Sequence, residues 1–452
     1  MHIIIAGIGK VGASLMRQLS LEGHDLTLID ENKALLERCV ERFDTMAVCG
    51  NCASMQTLLD AGVKDADLLI AVSGSDEINL LSCLTAHGIN QKLHTIARIR
   101  NPEYTEQSHR MRDLFALSMV INEERQAAKE IERLLKFPGF LRRDTFAKGR
   151  AEIVELRIDE NSKLKDVSLV EMYGIVKCRV LVCAVLRSGQ AVTPGGNFVL
   201  REGDRIFVTA PTSELAVLLK NLGIFTRRVR SCLVGGGGRI VYHLAKLLEK
   251  DGIDVRILEK NQARCQELAE TLPKAEVILG DFSNRTELEE AGIHRCDAFL
   301  SMAGIDEVNM VTALYATSQK VPQVITKLGH PDNYAQAGNL DLGSVICPRE
   351  LCASNVVRYV RAMENQTGAA ISLHAIAEGQ AEAIEFSVDE KTENCGVPLK
   401  NLKLKPDVLL ATISHGSQVE IPNGNSVMKP GDTVVVVTTR RGVLQHLGDI
   451  FG

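Results

Sequence analysis

Apolar runs of four to six residues recur along the first 122 positions, at 2–6, 26–30, 46–49, 67–72, 94–98 and 117–121. Between them, at 10–22, 33–43 and 77–87, apolar residues return every three or four positions, and 101–111 also reads as helical. A short continuous apolar run reads as a strand buried on both faces. A three-to-four repeat reads as a helix with one buried face. Strands and helices alternating through short loops predict a parallel sheet covered on both sides, and six strands in this order suit a doubly wound arrangement.

Residues 123–136 form a charged amphipathic pattern with Ile131, Leu134 and Leu135 on one face, ended by Phe137-Pro138-Gly139. It reads as a helix that either connects domains or packs on a partner subunit. From about 142 to 226 the pattern changes. Residues 153–158 and 205–209 read as strands, punctuated by Pro194-Gly195-Gly196-Asn197 and Glu202-Gly203-Asp204, which predicts a small α+β module.

The chain then repeats itself. Cys232-Leu233-Val234-Gly235-Gly236 follows Ile3-Ile4-Ile5-Ala6-Gly7 at an offset of 229 residues, and Glu259 follows Asp30 at the same offset. Asn425 follows Asn197, and Asp432 follows Asp204, at an offset of 228. A large and a small module have been duplicated together. The expected fold is α/β: tandem Rossmann-like doubly wound parallel sheets, each followed by a small α+β module. The expected domains are 1–122, 142–226, 228–350 and 368–452.

A chain of 452 residues with 45% hydrophobic and 24% charged content suits three or four ordinary soluble domains. The net charge of −5 argues against broad electrostatic binding to nucleic acid. No apolar run approaches the roughly 20 residues of a membrane-spanning helix. A strand begins directly after Met1-His2, so no signal peptide is expected and a cytoplasmic location follows. Most of the 12 cysteines, such as Cys178, Cys183, Cys232 and Cys347, lie in apolar segments, where cysteine behaves as a small hydrophobe. The pair Cys49-Gly50-Asn51-Cys52 lacks the second ligand pair of a structural zinc site. It reads as a strand end and a loop facing a nucleotide, and no metal is expected.

The chemistry sits in the turns. Gly7-Ile8-Gly9-Lys10-Val11-Gly12 fits G-x-G-x-x-G between a strand and a helix. The first glycine permits the tight turn, the second lets backbone approach a pyrophosphate, and the third lets the helix pack near the sheet. The helix amino terminus offers free N–H groups and a positive dipole end to phosphates. Asp30, 18 residues beyond Gly12, is placed to accept hydrogen bonds from ribose hydroxyls. Glu31 and Asn32 follow it rather than arginine, which favours NAD or an adenine nucleotide over NADP. Asn51 and Cys52 follow the third strand, and Ser73-Gly74 follow the fourth, at the carboxyl edge where ligands bind. Ser75 or Asp76 can equally cap the next helix. Arg98 ends the fifth strand and can either fork onto phosphate oxygens or pair with a neighbouring acid.

In the second copy the corresponding residues are Gly236, Gly237, Gly238, Arg239, Ile240, Glu259, Asp281, Ala303 and Lys327. Val241 replaces the third glycine, and Lys327, a point charge rather than a fork, replaces Arg98. A branched side chain at 241 is expected to push the helix from the sheet or crowd the turn, giving weaker or different binding.

Two glycine-rich units, each with its acid, G-[DN], D-E-x-N and basic residue and each followed by a Gly-Asp-bearing module, resemble the TrkA (RCK or KTN) family across essentially the whole chain. Those proteins are cytoplasmic regulatory subunits of bacterial Trk potassium uptake systems. The resemblance implies that Gly7, Gly9, Gly12, Asp30, Asn51, Ser73 and Arg98 line one NAD(H)- or ATP/ADP-binding site. It assigns Gly236, Gly238, Glu259, Asp281, Ala303 and Lys327 to another. It implies a peripheral protein on the inner face of the plasma membrane, docked on a TrkH/TrkG-like potassium-translocating subunit. Dimers of the tandem chain, or larger rings, would bring four or more nucleotide units together. No catalytic residue is assigned. The alternative, an NAD-dependent oxidoreductase, needs a proton-transfer group beside the nicotinamide, and His24, His87 and His94 fall at loops or element ends.

Overall fold

The computed structural model describes residues 1–104, 114–224, 228–330, 333, 340–364, 370–439, 444 and 446–452. The helix expected at 101–111 therefore lies largely outside the described residues. The chain divides into two units, Met1–Gln126 with Pro348–Val360, and Ala127–Cys347 with Arg361–Gly452.

The first unit is built on six strands: β1 (His2–Ala6), β2 (Asp25–Asp30), β3 (Met46–Cys49), β4 (Leu68–Ala71), β5 (His94–Arg98) and β6 (Met119–Ile121). Their order is β3-β2-β1-β4-β5-β6, all parallel. Ile3, Ile4 and Ile5 are fully buried, because helices cover both faces of a central parallel strand. The helices are α1 (Lys10–Leu21), α2 (Lys33–Arg42), α3 (Met55–Asp60) and α4 (Asp76–Ile89). The short α3 carries too few turns to show a periodic signature. Asn32 and Ser75 cap α2 and α4 by accepting from the amides of Leu35 and Ile78. The chain reverses its direction of growth between β1 and β4, and that switch point opens a crevice at the carboxyl edge.

The second unit contains a matching six-stranded parallel sheet: β12 (Ser231–Gly235), β13 (Asp254–Glu259), β14 (Glu276–Leu279), β15 (Ala298–Ser301), β16 (Gln323–Lys327) and β17 (Ser344–Ile346), in the order β14-β13-β12-β15-β16-β17. It also holds both small modules. One is the antiparallel sheet of β7 (Arg142–Phe146), β8 (Ala151–Arg157), β9 (Leu181–Arg187), β10 (Gln190–Val192) and β11 (Arg205–Pro211). The other comprises β18 (Ala370–Ile376), β19 (Ala381–Ser387), β20 (Val408–His415), β21 (Gln418–Glu420) and β22 (Thr433–Thr438). The two antiparallel sheets share one core, in which Phe146, Ile153 and Phe207 meet Ile376, Ala383, Ala411 and Val435. The alanines keep side chains short where the sheets approach. Asp144 and His374 tie the joint at 3.0 Å, and Glu385 accepts from the Ala147 amide at 2.8 Å. Burial alone would raise the Asp144 carboxyl, but Arg142 and His374 outweigh it and hold the group far below the usual carboxylate range.

The two helices that follow the large sheets change units. The helix Glu123–Lys136 follows β6, yet its residues from Ala127 onward belong to the second unit, where the Gln323 side-chain amide donates to the Leu134 carbonyl at 3.0 Å. The helix Pro348–Glu364 follows β17, yet residues 348–360 belong to the first unit. There Glu350 accepts from Ser14, Arg17 and Gln18 of α1 at 2.7–2.9 Å, and Tyr359 meets His94 at 3.0 Å.

Candidate nucleotide site

The Gly7–Gly12 turn joins β1 to α1 at the switch point. Gly7 has φ +96°, and a Cβ there would lie 2.7 Å from the Ser73 backbone. A Cβ on Gly12 would overlap the Gly7 carbonyl oxygen. The first and third glycines are thus demanded by the turn itself. A Cβ on Gly9, by contrast, would meet nothing within 4 Å, which is the open approach a pyrophosphate requires. Lys10 is exposed, whereas Val11, in the first turn of α1, is buried and can offer a ligand only its backbone N–H.

Asp30 closes the turn. One of its oxygens accepts from the Ile8 amide at 2.7 Å and the other from the Asn32 amide at 2.9 Å. A carboxylate accepts about four hydrogen bonds, so each oxygen retains a lone pair for a ribose hydroxyl. The Gly50 amide donates to the Asp30 carbonyl, which sets Asn51 beside the acid. Cys52 is buried, with its sulfur 3.3 Å from the Ser82 hydroxyl, and faces the core rather than the crevice.

Ser73 lies against Gly7, and its carbonyl accepts from Arg98 Nη2 at 2.6 Å. Arg98 Nη1 lies 3.1 Å from Glu123 Oε1. Of the two alternatives posed for Arg98, the structure shows the pairing with an acid, made beside the glycine turn. Arg100 bonds to the Gly74 carbonyl. The crevice thus gathers Gly7, Gly9, Asp30, Asn51, Ser73, Gly74 and Arg98 around one turn.

The D-E-x-N motif proves to be the brace of this edge. Asn79 accepts from the Ser73 amide at 2.8 Å and donates to the Arg98 carbonyl at 2.9 Å, tying the loop after β4 to the end of β5. Asn309 makes the same pair of bonds to Ala303 and Lys327, at 2.8 and 2.9 Å. Neither asparagine was among the sequence-derived site residues. Their recurrence in both copies was the available signal. Asp76 accepts from the amides of Arg100 and Asn101, and Asp306 from those of Gly329 and His330. Burial works to raise the Asp306 carboxyl, but these amides and Asn333 hold it below the usual range. A lowered folded-state value means that the contribution is complete above the unfolded value and fades as pH falls through the folded one. Asp306→Asn should therefore cost about 1–2 kcal/mol near neutrality. Its deficit against the wild type should shrink as pH drops below about 3.9. Urea unfolding at several pH values reads this directly, and a deficit that stays constant into acid contradicts it.

The second copy keeps the plan with other side chains. Glu259 accepts from the Gly237 amide at 2.6 Å and the Asn261 amide at 2.8 Å, as Asp30 does. Asp281 is held below the usual carboxylate range by the Ser283 hydroxyl and amide. Ile240 is buried, and Arg239 is exposed at the start of its helix. Lys327 reaches the Met302 carbonyl at 3.3 Å. The helix Arg239–Lys250 has the same length as α1 and starts at the equivalent residue, with Val241 buried. A Cβ on Gly236 would clear the Met302–Ala303 backbone by 3.4 Å, against 2.7 Å at Gly7. Space for Val241 thus accompanies a turn with wider clearance. Two size exchanges go with it. Ile8 and Cys39 become Gly237 and Leu268, and Ala6 and Cys52 become Gly235 and Phe282, with Leu268 and Phe282 filling the room left by the glycines. Arg264, where the first copy has Leu35, donates to the Gly237 carbonyl at 2.7 Å.

A cleft of about 440 Å³ bordered by His87, Lys92, His94 and Ser118 lies at the amino-terminal end of β5. That is the opposite edge of the sheet from the glycine turn. Among the described residues, no group of three or more His, Cys, Asp or Glu side chains is placed to hold a metal ion. No helix among them is long and apolar enough to cross a membrane.

This constellation coincides with two family models. The TrkA-N domain model matches residues 3–123 and 232–348, and the TrkA-C domain model matches 153–223 and 383–452. The chain belongs to the TrkA family. It is 30% identical to the Trk system potassium uptake protein TrkA of Haemophilus influenzae, covering 100% of this chain and 98% of that protein. It is 31% identical to a TrkA homolog of Archaeoglobus fulgidus, covering 96% and 97% respectively. Among solved structures, the RCK domain of the GsuK channel superposes with a TM-score of 0.62 at 17% identity, over 96% of this chain and 92% of that one. The GsuK channel bound to NAD superposes with a TM-score of 0.61 at 18% identity, over 97% and 76%. These superpositions support the tandem Rossmann-like fold read from the sequence.

Proposed function

We propose that this member of the TrkA family is a non-enzymatic, nucleotide-sensing regulatory subunit of a potassium uptake system. It acts at the cytoplasmic face of the membrane on an integral potassium-translocating subunit of the TrkH/TrkG type. The four segments 1–122, 142–226, 228–350 and 368–452 serve as two nucleotide-binding and two assembly modules. The observation that carries this reading is the duplicated turn and acid. In each copy, both carboxylate oxygens are anchored by backbone amides, with lone pairs left for a ribose. The curated relatives are named for potassium uptake, and GsuK structures are described as bound to NAD and to ADP. NAD(H) and ATP/ADP are therefore the ligands to test.

Signalling requires that different nucleotides bind two assembly shapes with different affinity. Self-association is supported by an apolar stripe on equivalent helices of the two repeats. Ile78, Leu81 and Leu84 are exposed on α4, and Val311 and Leu314 on the helix Asp306–Ser318. A second copy of the chain is the occupant that fits both stripes.

Calorimetric titration with NADH, NAD, ATP and ADP tests the reading. The wild type should bind at least one of them saturably. Asp30→Ala should weaken the first site roughly 10–100-fold, the range expected when hydrogen bonds to a charged group are lost. Binding of none of the four defeats the proposal. Turnover of an alcohol or hydroxy acid with NAD replaces it with the oxidoreductase reading.

A further inference from the structure

Arg98 is 9% exposed, and its Nε atom is buried without a hydrogen-bond partner. Its two terminal nitrogens are divided between the Ser73 carbonyl, at the glycine turn, and Glu123 Oε1. Glu123 is the first residue of the helix Glu123–Lys136, and its Oε2 atom is also buried without a partner. A guanidinium carries five N–H donors in a rigid fork, so this pair is under-satisfied on both sides. Beside it, the helix start is pinned by Asn122, whose amide donates to the Ile99 carbonyl at 2.9 Å and whose oxygen caps the Arg125 amide at 2.8 Å. The thiol of Cys352, on the helix Pro348–Glu364, is pushed up by burial and further by the Glu123 charge, so that helix also borders the pair.

The other repeat lacks this arrangement. Arg98 pairs in register with Ile121, and Lys327 with Ile346. Two residues beyond Ile121 stands Glu123, whereas two beyond Ile346 stands Pro348. A fork and an acid in the first copy are thus replaced by a point charge and a residue without charge.

We propose that the Arg98–Glu123 pair is a phosphate-operated latch on the connector helix. It answers to adenine nucleotides whose phosphate chain extends past the glycine turn. With Asp30 holding the ribose and the turn holding the first phosphate, further phosphates run toward Ser73 and Arg98. Phosphate oxygens then compete with Glu123 for one guanidinium, and a bidentate Arg–phosphate contact is the stronger fork. Arg98 turns toward the ligand, Glu123 is released, and the helix start loses its tether to the end of β5 while keeping the bonds of Asn122. That helix is chain-continuous with the second unit, so occupancy of the first site acts on its first turn. A nucleotide with a single phosphate fills the turn and leaves the latch closed.

The inference rests on the proposed nucleotide site, and the experiment separates the two. Wild type and Glu123→Gln are titrated calorimetrically with ATP and with AMP. Removing the competing charge should tighten ATP binding roughly 3–10-fold while AMP changes less than about twofold, as for a contact made only by the distal phosphates. If wild type binds neither nucleotide, the site itself is refuted. If it binds both and the variant shifts ATP and AMP equally, or neither, the latch is refuted and the site stands. Because the variant leaves a buried arginine unpaired, the wild type alone supplies a second test. Hydrogen exchange in the 123–130 segment should quicken with ATP and not with AMP. Equal exchange in the two complexes overturns the latch.

Discussion

Replacing Gly12 by alanine should abolish nucleotide binding in the first unit and destabilise that unit by about 3 kcal/mol, near the upper end of overpacking costs. The added Cβ would overlap the Gly7 carbonyl oxygen, which is backbone and cannot rotate away. Gly7 cannot retreat either, since the loop after β4 already lies 2.7 Å from where its own Cβ would be. The turn must therefore open, and opening it moves the Ile8 amide away from Asp30. The same single methyl group in the second copy should be harmless. Val241 already occupies that position, and Val241→Ala should cost only about 1–3 kcal/mol of lost burial with the turn intact. Hydrogen exchange of β1 and of β12 in the two variants, with nucleotide titration beside it, tests the asymmetry. A Gly12→Ala protein that keeps wild-type protection in β1 would refute the steric account.

The second large effect is expected in the small module. Arg143 and Glu152 are 5% and 4% exposed and meet through two parallel hydrogen bonds of 2.8 Å. The guanidinium also lies 4.2 Å from the Phe137 ring. Glu152→Ala strands an arginine charge in a place that water does not reach, which costs about 3–5 kcal/mol. Replacing both partners together, as Arg143→Met with Glu152→Met, removes both desolvation penalties and should cost far less than the single change. Denaturant unfolding of wild type, the single variant and the pair forms the comparison. A pair as unstable as the single variant would mean that the ion pair contributes net stability beyond cancelling its own burial.

These two predictions draw on different kinds of legibility. The glycine positions, the acid at the end of β2 and the duplication were all readable in the chain. Each is a local demand: a turn of this curvature needs glycine, and a strand of Ile3-Ile4-Ile5 needs cover on both faces. The stop at Phe137-Pro138-Gly139 and the cap at Ser75 belong to the same class. The roles of Asp76 and Asn79 were only half legible. Their recurrence marked them, but whether they touch ligand or brace the edge depends on which backbone amides the folded loops bring to them.

Periodicity specifies that the helix 123–136 buries one face, with Ile131, Leu134 and Leu135 in it. It also marks which strands are central and which turns can take phosphate. All of that follows from interactions between residues a few positions apart. Tertiary structure alone decided that this helix finishes in the second unit and that the helix Pro348–Glu364 begins in the first. It also decided that Arg98 is already engaged by Glu123, and that Gly237 and Gly235 make room for Leu268 and Phe282. An apolar face carries no address. Burial is non-directional, so the partner surface is selected by where the whole chain can place it, and no local pattern encodes that choice.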